Sequence, residues 1–584
     1  MNRVFRFLHT LRWLRASQVL WRIKYILIRY VENRWKLHLA DDSENAPSLD
    51  PVFGSLAAKH SEVLRPKFYG SFRRSELSRG RLTLLNKQKC FNGGADWGMQ
   101  GKSAVDRIWL YNLHYHKWLF EAANGVSMGD SSEQLTSFLS DWISTCRPGT
   151  TGFTEYPWNS YAIATRLRWW ALLYYALPKQ FWVERAEMKD RFIRSYWLQA
   201  RYLYNHIEWD LRGNHLIRDA SGLAFAGRFL SGWEAKSWLR KAEGILAEQS
   251  EEQVLQDGGH VERSPMYHIL VMEDVFWLSL LLNGIKIRER LLGLWCKMLE
   301  YLRWVRFPDG EIPLLNDAAL NGALKPFDLL RLGKSVGLES YVVPPKGAKC
   351  FWDTGLVVYH GEDWSLFFDV GQIGPDWQPG HGHADSLTIS CSYLGKRLFV
   401  DPGTHSYDAD ERRAYDRSTA AHNTVTIDGI SSSEVWHIFR VARRAKPQSI
   451  NVDVDNGVLR ASASHDGYDR ILGRPKHLRR IFVGNKKALV VEDKVTGKKE
   501  YNIQGGYLLG PAWEVVKETG GSWIVRCNDV FLNVCISSSK ILKIKTKTVP
   551  FHARFHVEDF RPRLCWEYDG NLPILVRTVV EPIR

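Results

Sequence analysis

The sequence predicts a multidomain α+β protein in which a long helical domain is followed by an antiparallel β-sandwich. Three observations predict it. At 584 residues the chain exceeds what one hydrophobic core serves, so two or three domains are expected. Beyond Trp109, apolar residues recur three or four apart for over two hundred residues, the spacing of one helix face. After Pro344-Pro345-Lys346-Gly347 the texture changes to short β-rich runs. The expected divisions are a basic helical leader and connector over 1–95, a helical domain over 96–343 and a β-sandwich domain over 344–584.

The leader comes first. Residues 1–40 hold nine Lys or Arg and one acid, Glu32. Val4, Phe5, Leu8, Leu11 and Leu14 follow helical spacing, which predicts an amphipathic basic helix. Such a helix lies either on an anionic membrane or on the main domain. No apolar run approaches the ~18 residues of a membrane span. The short run at 19–21 between Arg15 and Arg22 is no signal-peptide core. These features predict a cytoplasmic or membrane-peripheral location. Asp41-Asp42-Ser43-Glu44-Asn45-Ala46-Pro47 reads as a linker.

Helices are then predicted over 132–145, 159–177, 193–208, 232–253, 266–284 and 287–305, separated by Gly, Pro or Asn breaks. Paired antiparallel helices of this length indicate a toroid or solenoid. Strands are predicted at Leu356–Tyr359, Leu366–Phe368, Ala488–Val491 and Phe531–Val534, with turns at Asp428-Gly429, Asp455-Asn456-Gly457 and Gly484-Asn485. Many short strands at regular spacing indicate a sandwich.

Composition narrows the partners. Hydrophobic content of 45% and charged content of 24% are those of a soluble globular protein. A formal net charge of +15 favours polyanions. The chain carries no helix-turn-helix, zinc-finger or RNA-binding fingerprint, which argues against nucleic acid. The eight cysteines form no C-x-x-C pair, excluding a cysteine-rich zinc site. Most of the 25 tryptophans are expected in cores. Adjacent Trp169 and Trp170 are not expected to face inward together on one helix. Trp158, beside Tyr156 and Asn159, is the indole best placed to offer its face to a sugar ring.

The most informative stretch is His381-Gly382-His383-Ala384-Asp385-Ser386-Leu387. Val-Asp-Pro-Gly-Thr-His at 400–405 and Ala-His-Asn-Thr-Val at 421–425 follow it. If 381–383 is a strand, His381 and His383 share a face. Asp401 and His422 would then arrive from neighbouring strands. Imidazoles with a carboxylate are a zinc ligand set; the alternative is histidines satisfied by hydrogen bonds.

With Arg212-Gly213-Asn214-His215, Gly258-Gly259-His260, Ser264-Pro265-Met266-Tyr267-His268 and Trp158-Asn159-Ser160-Tyr161 with Arg166 and Arg168, these motifs stand in a recognisable order. The chain resembles the heparinase II/III family of polysaccharide lyases, which includes alginate and heparan lyases. The resemblance implies an incomplete (α/α) toroid ahead of the sandwich. It implies catalytic roles for Asn214, His215, Tyr267 and His381, and substrate binding by Trp158, Asn159, Arg166 and His260. It also implies a structural zinc ion on His383, Asp401 and His422, with His405 a rival ligand. The family is commonly periplasmic.

The chemistry follows from residue types. β-Elimination on a uronate removes the C5 proton, alpha to a carboxylate, and protonates the departing O4. Neutralising that carboxylate stabilises the developing enediolate, a role suited to Asn214 and His215. Tyr267 and His381 can divide base and acid, and a Tyr base needs its pKa lowered by nearby cations. Read locally, Arg212-Gly213-Asn214 is also a turn into a helix, and Tyr267 after Ser264-Pro265 also begins one. The expected function is a lyase acting on an acidic, uronate-containing polysaccharide, in a surface or exopolysaccharide system. The alternatives are a uronyl C5-epimerase and a non-catalytic glycan-binding protein of polysaccharide biosynthesis.

Overall fold

The computed structural model describes residues 3–35, 47–59, 77, 79–91, 96–98, 106–123, 130–150, 152–338, 343–484 and 488–583. The linker expected at 41–47 falls almost wholly outside the described residues, as does Asn485 of one predicted turn.

The helical region is built from successive helices joined by short turns, among them Asp130–Thr145, Ser160–Ala176, Ala186–Asn205, Trp233–Gln253, Pro265–Leu281 and Ile287–Trp304. Helix Ser160–Ala176 is capped by Asn159, whose side chain accepts from the Ala162 amide at 3.3 Å. Helix Pro265–Leu281 has Ser264 as its cap, accepting from the Tyr267 amide at 3.3 Å, with Pro265 where its missing N–H costs nothing. These caps fix the starts of two helices that border the site.

One expectation fails here. Trp169 and Trp170 are both buried. Helix Ser160–Ala176 packs against helices on several sides, so it is buried all round and adjacent side chains both find apolar partners. Helix Asn214–Phe229 is likewise buried on nearly every side, and it starts at the turn that Arg212-Gly213-Asn214 marks. Its Asn214, Arg218, Asp219 and Ser221 are buried along with its apolar residues. Its start is set by Gly213, at φ +59°, where a Cβ would overlap Glu262 Oε1.

The β region holds three larger sheets, antiparallel throughout. The eight-stranded sheet runs in spatial order Pro447–Asp455, Val458–His465, Lys476–Gly484, Leu489–Thr496, Ile574–Pro582, Val530–Ser538, Ser522–Cys527, Glu514–Thr519. A four-stranded sheet (Lys543–Phe551, Asp559–Asn571, Glu500–Leu508, Val425–Ile427) and a five-stranded sheet spanning Gly347–Phe399 accompany it. Their inner faces share one core, with Leu459, Val491 and Trp523 meeting Ile503 and Trp566, and Leu366 and Ile389. Along Val458–His465 every second residue, Leu459, Ala461, Ala463 and His465, is buried, as in a strand with one face inward.

The helical core does not stop at the boundary. It runs on through Val400, Tyr407, Ile438, Phe551 and Phe555 of the β region. The two regions therefore pack as a continuous apolar body, and a cleft forms where their loops meet.

The leader is helical: α1 spans Arg3–Leu11 and α2 spans Ala16–Trp35. Both lie against the body. Thr10 Oγ1 donates to the Val441 carbonyl at 3.3 Å and accepts from the Trp436 indole at 3.2 Å. Arg15 pairs with Glu252 at 2.7 Å. The leader thus touches both the β region and the helical region.

Candidate functional site

A cavity of about 610 Å³ opens at this junction. Asn214 and His215 enter it from the start of helix Asn214–Phe229, and Tyr267 from the first turn of Pro265–Leu281. His381 and Tyr407 enter from β-region loops. Phe7, Leu11 and Leu14 of the leader line the same space.

His381 sits in a loop, not a strand: residues 381–387 form turns and bends. The i, i+2 argument for His381 and His383 therefore does not hold. What brings them together is Asp317, fully buried between them. His381 Nδ1–H donates to Asp317 Oδ2 at 2.9 Å, and His383 Nε2–H donates to Asp317 Oδ1 at 2.9 Å. Arg413 donates to both oxygens, at 2.8 Å to Oδ2. Burial alone would raise the Asp317 pKa, but Arg413 and the two imidazoles hold it well below the usual carboxylate range. Asp317 is thus an acceptor-only carboxylate, which fixes the histidine tautomers. His381 Nε2 is left facing Glu262, 3.6 Å from its Oε2.

The Tyr267 ring stacks on His381, with centroids 3.8 Å apart and planes 26° from parallel. Its hydroxyl is 3.0 Å from that of Tyr407. Burial, then Tyr407 and Asp317, push the Tyr267 phenol well above its ordinary value. This direction is opposite to the lowered pKa that a tyrosine base requires.

Asn214 is pinned by Glu262. Its Nδ2 lies 2.9 Å and 3.1 Å from the two Glu262 oxygens, and its amide N–H donates to Oε1 at 2.9 Å. Glu262 is buried, yet His381, His260 and Asn214 together lower its pKa, so it remains a carboxylate. His215 Nδ1–H donates to Glu208 at 2.9 Å, and its ring lies 4.8 Å from that of Tyr161. Burial works against the charged imidazole, but Glu208 outweighs it and the pKa is raised. His215 is therefore the imidazole of the cavity wall whose charged form Glu208 favours. Arg22, Lys117 and Arg440 also line the space.

The four residues expected to bind substrate separate. Asn159 lines the cavity while capping its helix. Trp158 does not: it is 3% exposed, its indole N–H donates to the Cys146 carbonyl at 2.7 Å, and Tyr202 meets it edge-on. No sugar can stack there. Arg166 is fully buried, donating to Gln199 at 2.6 Å and to the carbonyls of His114 and Pro157. His260 is buried beside Gln253, 3.2 Å from its Oε1, and burial pushes its pKa down to about 4. Neither lines the cavity.

His383, Asp401 and His422 form a buried cluster behind His381. His422 Nδ1–H donates to Asp401 Oδ1 at 2.5 Å, and the two imidazole rings lie 5.3 Å apart. Among the described residues no three His, Cys, Asp or Glu side chains stand ready as a metal site. Asp401 and His422 bond one another, so ion binding there exchanges that contact for metal–ligand bonds. The donor chemistry is nonetheless suitable: His383 Nδ1, His422 Nε2 and Asp385 Oδ2 are buried without partners. His405 turns away from this cluster, toward His552 and His556.

Sequence reasoning missed Glu262, Asp317, Tyr407 and Arg413. Glu262 lies two residues past His260, and Tyr407 two past His405, so a longer reading of each motif reaches them. Asp317 and Arg413 lie in runs with no such signal.

A family model described as Heparinase II/III N-terminus matches residues 81–326, and one described as Heparinase II/III-like, C-terminal matches 343–561. A heparin-sulfate lyase of Bacteroides thetaiotaomicron is 22% identical over 477 residues, 73% of this chain and 65% of that protein. One from Pedobacter heparinus is 23% identical over 363 residues, 56% of this chain and 50% of that protein. The chain thus spans two thirds or less of these relatives' own length. A solved heparinase III structure aligns with a TM-score of 0.70 at 19% identity, over 97% of this chain and 92% of that one. A Streptomyces coelicolor A3 chondroitin AC lyase gives 0.52 at 10% identity, over 95% and 82%. These two likenesses establish the fold as that of a helical toroid joined to antiparallel sheets.

Proposed function

The chain belongs to the heparinase II/III family, and on that premise we propose that it is a polysaccharide lyase cleaving an acidic, uronate-containing polysaccharide by β-elimination. The observation that carries this reading is the Tyr267–His381 stack facing a cavity walled by Asn214 and His215. The curated relatives, named heparin-sulfate lyases, support a uronate-bearing glycan as substrate. We place the protein in a surface or exopolysaccharide system, a setting that suits a uronate polymer and a basic chain.

Each residue has a role set by its surroundings. The uronate carboxylate meets His215 and the amide of Asn214, whose N–H groups withdraw charge as the enediolate develops. His381, oriented by Asp317 through Nδ1–H, takes the C5 proton on Nε2. Tyr267, kept neutral by burial, gives its proton to the departing O4 and is resupplied through Tyr407. The C4–O4 bond breaks as the C4–C5 double bond forms. Positioned proton transfer of this kind contributes about 10²–10⁴ in rate. A zinc ion on His383, Asp401 and His422 would brace the loop that presents His381, and none of these steps passes through it.

The test is ultraviolet absorbance of the unsaturated product across a panel of uronate polymers. Absorbance growing on one of them is the expected result. Silence on all, with solvent deuterium entering C5, would replace the lyase with an epimerase.

A further inference from the structure

The second leader helix, α2, is mounted with its polar face inward. Gln18, buried, donates to the carbonyls of Asp210 at 3.1 Å and Trp377 at 3.3 Å. The Tyr25 hydroxyl donates to the Ile207 carbonyl. Trp21 stacks on Trp209 with centroids 6.3 Å apart, and Arg22 faces Asp210 at 4.0 Å. These contacts hold one side of the helix to the rim of the cavity. At 100° per residue the opposite side carries Leu20, Ile23, Leu27, Tyr30 and Val31. All five are exposed, Leu20 and Tyr30 at 66% and Leu27 at 59%. Val19 and Ile26 widen the stripe. A surface helix normally turns such a stripe into the core; here water meets it.

We propose that this outward face of α2 is a docking surface for an anionic lipid bilayer. The stripe is long enough to matter: twenty residues of helix extend about 30 Å. Exposed Lys24 flanks this stripe, and exposed Arg3 and Arg12 lie on the segment before it. Apolar residues beside cations on a helix lying flat are what an anionic interface binds. A second copy of the chain is disfavoured, because it would bring the same excess of positive charge against itself. An acidic polysaccharide would use the cations but has no use for Leu20, Ile23 and Leu27. No described helix is long and apolar enough to cross a membrane, so α2 lies on the surface. Because its anchors are Ile207, Asp210 and Trp377, docking holds the cavity mouth close to the membrane. This inference does not depend on the lyase reading.

The full-length protein is sedimented with phosphatidylcholine vesicles, with and without phosphatidylglycerol, at low and high salt. The expected result is binding to the anionic vesicles that weakens with salt. Leu20→Ser, Ile23→Ser and Leu27→Ser combined should weaken it by roughly tenfold or more, since three buried aliphatic side chains are lost. Lys24→Glu should weaken it mainly at low salt. Circular dichroism confirms that both variants keep their fold. Equal sedimentation of wild type and the triple variant would overturn the proposal. So would failure of the wild type to bind anionic vesicles at low salt. A wild-type dimer that the triple variant converts to monomer would assign the face to a second copy instead.

Discussion

The ring of Tyr267 lies face to face with that of His381, 3.8 Å between centroids, though one comes from a toroid helix and the other from a β-region loop. The stack sets acid and base side by side, so removing the phenol hydroxyl alone should separate chemistry from folding. Tyr267→Phe should lower kcat by about 10²–10⁴, with KM and melting temperature nearly unchanged. Steady-state kinetics and a thermal melt check it. A Phe variant with wild-type kcat would remove Tyr267 from the proton-transfer step.

Asp317 joins His381, His383 and Arg413 in one buried network. Asp317→Ala should cost about 3–5 kcal/mol of stability, because it leaves the Arg413 charge buried and uncompensated. The measurement is denaturant unfolding of variant and wild type. Activity should fall in the same variant, as His381 loses the acceptor that holds its tautomer.

His215 supplies a pH signature. Its folded-state pKa is raised above the ordinary 6.5 because Glu208 outweighs burial. A raised imidazole pKa stabilises the fold fully at pH below the unfolded value and loses that contribution as pH climbs through the folded one. Substrate binding should follow the same direction, since only the charged ring attracts a carboxylate. We expect an alkaline limb in kcat/KM above pH 6.5, moved to lower pH by Glu208→Gln. A limb that Glu208→Gln leaves in place would assign it to another group.

Trp158 should behave as packing. Trp158→Phe should leave KM for polymer unchanged and lower stability by about 1–3 kcal/mol through the lost indole hydrogen bond and volume. A several-fold rise in KM without destabilisation would return it to the substrate site.

The cluster behind His381 gives a metal prediction. Elemental analysis of the purified protein should find about one zinc per chain, lost in Asp401→Ala and kept in His381→Ala. Chelation should lower the melting temperature of wild type but not of Asp401→Ala, since an ion bound by the folded state alone stabilises it by mass action. A metal-free wild type with an unchanged melt would leave His383, Asp401 and His422 as a hydrogen-bonded cluster.

Much of this was legible locally. The change from helical period to strand period is written in residue spacing, so the order of helical and β regions could be read. Ser264-Pro265 marks a helix start because a hydroxyl cap and a residue without N–H suit that position. Asn214, His215, Tyr267 and His381 sit in short motifs, and all four reach the cavity. That helix Asn214–Phe229 is buried on nearly every side was not legible, because which helix faces meet neighbours depends on residues distant in sequence.

What the sequence by itself determined is the class of fold and the residues able to carry the chemistry. Only the tertiary structure decided which of them do so in company. Asp317 is 64 residues from His381 and 96 from Arg413, and no spacing rule reaches that far. Trp158, Arg166 and His260 look like ligand-binding residues until long-range packing surrounds them with carbonyls and apolar side chains. The inverted mounting of α2 is likewise a tertiary fact. Its amphipathic sequence determines that two faces exist, and the rim at Ile207, Asp210 and Trp377 decides which one is turned to water. The physical reason is common to all three: propensity and period act between neighbours in sequence, whereas burial, desolvation and hydrogen-bond partnership depend on neighbours in space.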